Sequence, residues 1–150
     1  MEIVFSVPHL FTTRSSLAEN ACALEASLEY LIALDIDFLR RHPSPDLYHD
    51  DVFYKTTVEW EPIPAVQLRG HGDCKSLVAW RIAELRIRGI PCRPVFRYWT
   101  RPDGRFDYHI LVMRNGAVFE DPSKVHGMKA YESGPAPMRR PLFDVLTGRR

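Results

Sequence analysis

Three residues in this chain have the types and the order that nucleophilic catalysis needs. Cys74 follows the segment Gly-His-Gly-Asp and begins a periodic helical stretch, His109 lies inside an apolar run, and Asp121 comes just after another. A cysteine in the first turn of a helix meets unpaired peptide N–H groups and the positive end of the helix dipole, so we expect a lowered thiol pKa. Cysteine, histidine and aspartate in this order could form a thiol–imidazole–carboxylate triad.

Each residue of such a triad has a separate role. Cys74 would be the nucleophile, His109 would take its proton or hold it as an ion pair, and Asp121 would fix the imidazole tautomer. The peptide N–H of Cys74 would be one oxyanion donor, and the side chains of Gln67 and Trp60 are the candidates for a second. The alternative is that Cys74 is an ordinary small buried residue with two unrelated polar neighbours.

Other histidines and cysteines allow competing interpretations. His71 and Cys74, with His109 or Cys92, could supply nitrogen and sulfur ligands to a metal. The paired spacings of common metal sites are missing from the sequence, so we expect no metal and no cofactor. His126 is a rival for the catalytic base, but it lies in a less regular segment than the strand of His109.

The composition limits the classes of partner. The chain has 150 residues, of which 45% are hydrophobic and 26% charged, with a formal net charge of +1. This near-neutral balance argues against nucleic acid or an anionic membrane as a partner. Arginines and aromatic residues interleave along residues 93–105, which could be a solvated sheet face, a single-strand-binding surface or the lining of a substrate groove.

Cysteine usage and the absence of leader-like segments suggest a compartment. The three cysteines form no C-x-x-C pair, which is typical of a reducing environment, and we expect Cys22 to pack in the core. No signal peptide and no membrane-length apolar run is recognised in the sequence. We therefore expect a single domain over residues 1–150 that is cytoplasmic, or released from a cell without a Sec signal; the resemblance described below adds association with a virion.

The first half of the chain predicts one long helix and a loop. Residues 2–7 alternate like a short strand, and Ser16 with Glu19 fits a capping box for an N-terminal helical part over about 15–41. Residues 46–69 predict a long loop over the site, with an extended segment at 52–60.

The second half predicts a helix followed by a meander of strands, the core of the domain at about 60–125. The helix covers residues 74–88 and ends at Gly89. Strands follow at 92–100, 106–113 and 117–120, separated by turns, and the segment 126–150 is irregular. This order is typical of an α+β fold in which the nucleophile helix packs on an antiparallel sheet, preceded by a long N-terminal helix.

The loop between the last two strands decides how the histidine and the aspartate meet. If the loop comprises residues 114–116, His109 lies directly opposite Asp121; a two-residue loop would move Asp121 to the other face. We predict the first register, with the face of His109 packed on the helix of Cys74.

These motifs together resemble the transglutaminase-like superfamily, a papain-like fold with a cysteine nucleophile. The resemblance covers roughly residues 67–125 and implies a nucleophile helix packed on an antiparallel sheet, with Cys74, His109 and Asp121 as catalytic residues. The shared features are, in chain order, Gly72-x-Cys74, the helix end Gly89-Ile90-Pro91-Cys92-Arg93, the strand of His109, and Asp121-Pro122.

Some positions depart from many members of that superfamily. Lys75 and Ile110 stand where an aromatic residue is common, and Phe119-Glu120 replaces a common Trp. These differences argue against glutamine–lysine cross-linking. We expect instead a cysteine hydrolase that cleaves a peptide or isopeptide amide in a protein or peptide substrate through a thioester acyl-enzyme.

The resemblance also suggests a setting. The Gly-Asp-Cys motif with its apolar helix looks most similar to short stand-alone members found in bacteria and their phages. Components of a phage or phage-tail-like particle are therefore candidate partners. The alternative function is a non-catalytic binding module or virion structural module that retains the fold.

Overall fold

A long helix opens the part of the chain that the structure describes. The computed structural model describes residues 17–104 and 106–129, and α1 spans Leu17–Arg41, as predicted. Its apolar stripe is buried, but Cys22 is exposed rather than in the core, because it falls on the opposite side of the helix. The predicted strand at 2–7 and the cap at Ser16 lie outside the described residues. None of the described helices is both long and apolar enough to cross a membrane.

The segment between α1 and the nucleophile is more ordered than a loop. A short 3-10 helix covers Leu47–His49, β1 covers Phe53–Tyr54, α2 covers Ile63–Arg69, and β2 (His71–Gly72) pairs with β1 in parallel. The expected extended segment at 52–60 is thus only two residues of strand.

The helix α2 was missed because its two prolines look like helix breakers. Pro62 is the N-cap residue and Pro64 lies in the first turn, where no backbone N–H is needed for an intrahelical bond. Gly70 ends the helix with a positive φ of 72°, a conformation that glycine adopts without strain. The positions of the prolines, rather than their number, decide whether this segment forms a helix.

The central helix α3 spans Cys74–Ile87, close to its predicted bounds. Every residue from Cys74 to Leu85 is buried. Arg88 is the C-cap, and Gly89 follows with a φ of 70°. A helix buried on all sides lies in the centre of a fold, here between α1 and the sheet.

Three antiparallel strands form the larger sheet, as predicted. They are β3 (Cys92–Thr100), β4 (Phe106–Arg114) and β5 (Val118–Glu120), adjacent in chain order. The chain is therefore a mixed α+β fold with a long N-terminal helix and a small antiparallel sheet. The main core joins both layers and contains Leu24, Leu28, Leu31, Ile32, Trp60, Cys74, Val78, Ala79, Ile82, Leu85, Phe96, Ile110 and Val112.

The register between β4 and β5 differs from the prediction. Met113 pairs with Phe119, so the loop comprises residues 115–117 and His109 is not directly opposite Asp121. Both Asn115 and Gly116 adopt positive φ, which places the turn one residue later than expected. The face carrying Ile110, rather than that of His109, packs on α3, because adjacent residues of a strand point to opposite faces.

Candidate active site

The nucleophile candidate lies where β2 passes into α3. The Asp73 carboxylate caps the helix by accepting hydrogen bonds from the peptide N–H groups of Lys75, at 3.0 Å, and Ser76, at 3.4 Å. A Cβ at Gly72 would lie only 3.3 Å from Cγ1 of Val66, so a side chain there would need Val66 of α2 to shift by a few tenths of an ångström. The Gly-Asp-Cys pattern thus has a packing reason and a capping reason.

The imidazole candidate is held by its carboxylate partner. His109 lies on β4 with 1% of its surface exposed, and its Nε2 is 3.2 and 3.1 Å from the two carboxylate oxygens of Asp121. Because Nε2 faces the carboxylate, Nδ1 is the nitrogen left for a thiol.

Asp121 reaches the histidine although the predicted register is wrong. It follows the last residue of β5 and caps α4 (Pro122–Val125), accepting a hydrogen bond from the peptide N–H of Lys124 at 3.3 Å. Pro122 has no N–H to continue the ladder, so the chain leaves the sheet here. The pairing of β4 with β5 still keeps Asp121 on the side of the sheet that carries His109.

The thiol of Cys74 lies close to the backbone of β4 and within electrostatic range of Asp121. The peptide N–H of Ile110, the residue after His109, hydrogen-bonds to the thiol, and the Asp121 carboxylate acts on it through its charge. The structure therefore pairs His109 with Asp121 and places the Cys74 thiol near the backbone of Ile110, on the sheet face opposite to the one that carries the His109 side chain. Within residues 17–104 and 106–129, no hydrogen bond joins this thiol to His109.

The protonation state of this cysteine differs from the expectation. Burial, followed by the negative charge of Asp73, raises the pKa of the Cys74 thiol to about 12. Lys75 acts in the opposite direction, but its ammonium is paired with Asp73. The predicted low pKa is wrong for this state of the protein, because loss of hydration and the capping carboxylate outweigh the helix terminus.

The oxyanion candidates have different surroundings. Asp73 accepts hydrogen bonds from the peptide N–H groups of the three residues that follow Cys74, and no described residue accepts one from Cys74 itself. Trp60 packs in the same core cluster as Cys74. Gln67 instead donates its side-chain amide to Asp50 at 3.1 Å, so the structure does not bring it to the thiol.

The rival histidine and the metal interpretation find less support in the geometry. Nδ1 of His126 is 2.7 Å from the carbonyl oxygen of Val52, which commits that nitrogen to the backbone. Sγ of Cys92 lies 3.8 Å from the carbonyl oxygen of Ile82, packed beside the core. In the described part of the chain, no group of three His, Cys, Asp or Glu side chains is arranged to hold a metal ion.

One structural participant was not foreseen from the sequence. Nζ of Lys75 is buried, pairs with Asp73, and donates a hydrogen bond to the carbonyl oxygen of Thr57 at 3.1 Å. It also lies 5.8 Å from the centre of the Trp60 ring. Lys75 therefore fastens the segment before α2 to the first turn of α3. The feature of the sequence that could have indicated this role is a lysine inside an otherwise apolar helix.

Comparison with protein-family models, with curated proteins and with solved structures finds no match for this chain.

Proposed function

We propose that this protein is a cysteine-dependent acyl-transfer enzyme with a papain-like, transglutaminase-like core. The reaction is hydrolysis of a peptide or isopeptide amide through a thioester acyl-enzyme. The observation that carries the proposal is the pair of short contacts from Nε2 of His109 to the Asp121 carboxylate, next to the strand residue that contacts the Cys74 thiol. A buried imidazole oriented in this way is suited to a general base.

The first chemical step forms the thioester. The Cys74 sulfur attacks the carbonyl carbon while its proton passes to Nδ1 of His109, and Asp121 stabilises the resulting imidazolium. The carbonyl oxygen becomes an oxyanion that accepts a hydrogen bond from the peptide N–H of Cys74. The indole N–H of Trp60 is the candidate for the second hydrogen-bond donor. The C–N bond then breaks as the imidazolium protonates the leaving amine.

The second step regenerates the enzyme. A water molecule attacks the thioester carbon while His109 accepts its proton, and the Cys74 sulfur leaves and is reprotonated. Because burial and Asp73 keep the thiol neutral at rest, His109 must act as a general base during the attack, instead of holding a preformed thiolate.

A non-catalytic module is the second candidate function, and one observation favours it. Only 8% of the Cys74 surface is exposed, and its raised pKa disfavours a reactive thiolate. In that case the protein binds a partner, such as a component of a phage or phage-tail-like particle, and its polar triad supports only the fold.

Hydrolysis of a neutral ester, 4-nitrophenyl acetate, separates the two functions. We expect turnover that disappears in Cys74→Ala and falls about 10²- to 10⁴-fold in His109→Ala and in Asp121→Asn, because each removes part of the proton-transfer system. The measurement is kcat/KM, with labelled acyl-enzyme located on Cys74 by mass spectrometry.

Matched variants control for general damage to the fold. Cys92→Ser, His126→Ala and Asp107→Asn change the same residue types outside the triad, and we expect each to stay within about threefold of the unmodified protein. Turnover that survives in Cys74→Ala, or that falls equally in the control variants, would leave the binding module as the better account.

A further inference from the structure

We propose that the outer edge of β3 binds an extended, acidic segment of a partner protein as an added strand. Three features of β3 support this binding: its unpaired outer edge, the peptide groups directed outward along that edge, and the arginines on one of its faces. The interaction does not involve the Cys74 thiol and goes beyond the proposed acyl transfer.

The outer edge of β3 is long and has no strand beside it in the described part of the chain. β3 is the first strand in the order β3-β4-β5, and it pairs with β4 over all of its nine residues. Within residues 17–104 and 106–129, no backbone hydrogen bond reaches its other side. Such an edge presents a row of N–H and C=O groups with which the strand of another chain can pair.

The pairing with β4 determines which peptide groups face outward. The N–H of Asn115 donates to the carbonyl oxygen of Pro91 at 2.8 Å, and these two residues continue the register of β3 with β4. Because hydrogen-bonded pairs alternate along an antiparallel ladder, the odd-numbered residues of β3 bond to β4, and the even-numbered residues direct their groups outward. The N–H of Ile110 agrees with this alternation, because it points away from β3 and bonds to the Cys74 thiol.

The proline in β3 fits the same alternation. Pro94 belongs to the outward set, so its missing N–H takes no hydrogen bond from the ladder with β4. Phe96, Tyr98 and Thr100 belong to the same set and keep their N–H donors. The part of the edge that can pair fully with another strand is therefore residues 96–100.

The arginines of β3 indicate the charge of the partner. Arg93 and Arg97 share one face of the strand, opposite Met113 and His109. Neither forms an ion pair within residues 17–104 and 106–129, although the charge of Arg93 acts on Glu25 of α1. An added strand lies about 4.8 Å away, so its side chains on this face adjoin the arginines. Carboxylates at every second position of the partner would form charge-assisted hydrogen bonds with them.

The same charges argue against a second copy of this chain as the partner. Pairing β3 with β3 of another copy would bring the arginines of both strands onto adjacent positions, and like charges across a sheet are destabilising. Arginine and proline on an edge strand are typical protection against such self-association. An acidic segment, in contrast, is complementary to this edge.

A labelled peptide tests the binding. The probe has the length of β3, alternates Glu and Val, and carries fluorescein. We expect saturable binding in fluorescence anisotropy, with a Kd about tenfold weaker in Arg97→Gln, because one charge-assisted hydrogen bond is lost. Arg40→Gln removes the same charge from an exposed position near the end of α1, and its Kd should equal that of the unmodified protein. The absence of saturable binding, or an equal loss in both variants, would overturn the inference.

Amide hydrogen exchange shows whether the peptide adds as a strand. At saturation, exchange of the Phe96, Tyr98 and Thr100 amides should slow by about tenfold or more, whereas the Arg97 amide, which faces β4, should change less. Unchanged exchange at the outward amides would mean that the arginines bind the peptide without strand pairing. Protection of these amides in the free protein would mean that this chain, or a second copy of it, covers the edge. Either result would overturn the inference.

Methylated peptides give an independent check of strand pairing. One peptide is N-methylated on its valines and the other on its glutamates, with the charge unchanged. Alternate residues of a strand direct their N–H groups to opposite sides, so only one of the two peptides should lose binding. Equal affinities of the two peptides would show that backbone pairing is not involved and would overturn the inference.

Discussion

The thiol of Cys74 is the residue whose state depends most on its surroundings. Burial and the Asp73 carboxylate raise its pKa from the ordinary value of 9.0 to about 12. The neutral thiol is therefore favoured in the folded protein over the unfolded one. Its contribution to stability is fully present below about pH 9 and is lost as the pH rises toward the folded-state pKa.

This linkage predicts an alkaline loss of stability that belongs to one residue. At about pH 10, the unmodified protein should have lost about 1 kcal/mol of unfolding free energy that Cys74→Ala does not lose over the same interval, because the unfolded thiol has released its proton by then. The measurement is urea unfolding at about pH 7 and 10 under reducing conditions.

The exposed cysteine provides the control for that measurement. Cys22→Ala removes a thiol from the surface of α1 and should lose stability with pH as the unmodified protein does. If Cys74→Ala loses as much unfolding free energy with pH as the unmodified protein does, the pKa of the Cys74 thiol is not raised in the folded state. The reason for assigning a general-base role to His109 would then be removed.

At the scale of elements, the first turn of α3 depends on a buried ion pair. The side chains of Asp73 and Lys75 are 4% and 5% exposed, and together they connect α3 to the segment at Thr57. Removing one partner leaves a buried charge uncompensated, which is much more costly than replacing both.

A double-mutant cycle tests this coupling. Asp73→Asn keeps an acceptor for the helix cap but leaves the buried ammonium of Lys75 without its counter-ion. We therefore expect a loss of about 3–5 kcal/mol in unfolding free energy. The double variant Asp73→Asn/Lys75→Met should recover to within about 1–2 kcal/mol of the unmodified protein. Additive losses in denaturant unfolding would show that the two side chains are not coupled.

At the scale of the whole molecule, Arg81 connects the parts that carry the site. It lies on α3, with its Nε 2.8 Å from Glu120 at the end of β5 and its Nη1 3.0 Å from Glu84. Its guanidinium stacks 4.5 Å from the Tyr48 ring centre, and the Tyr48 hydroxyl donates to Glu120 at 3.0 Å. Glu120 directly precedes Asp121, so this network holds the strand end from which the triad carboxylate departs.

Breaking the network should therefore affect both stability and activity. Arg81→Met leaves the buried carboxylate of Glu84 without its cation, while Glu120 keeps Arg114, and we expect a loss of about 3 kcal/mol in unfolding free energy. Ester hydrolysis should fall as well, because Asp121 loses its support. Arg86→Met, on the same helix, breaks a partly exposed pair with Glu29 and should cost no more than about 1 kcal/mol. Similar losses in both variants would mean that the Arg81 network has no special role.

Local patterns in the sequence determined much of this architecture. Periodic apolar residues predicted α1 and α3, and alternation with turn residues predicted the three-stranded meander, because these features depend on neighbours within a few positions. The order of Cys74, His109 and Asp121 along these elements was enough to nominate a triad, and the geometry pairs two of the three residues, His109 and Asp121.

The tertiary structure alone decided the features that depend on distant residues. The pKa of Cys74 follows from how much α1 and the sheet bury it, and the pairing of Arg97 with His109 follows from the register of β3 and β4. Gln67 was a candidate by its distance along the chain, yet its amide bonds to Asp50. Spacing along the chain sets which residue types can meet, whereas hydration, counter-charge and strand register, which set their chemistry, arise only when separate elements pack.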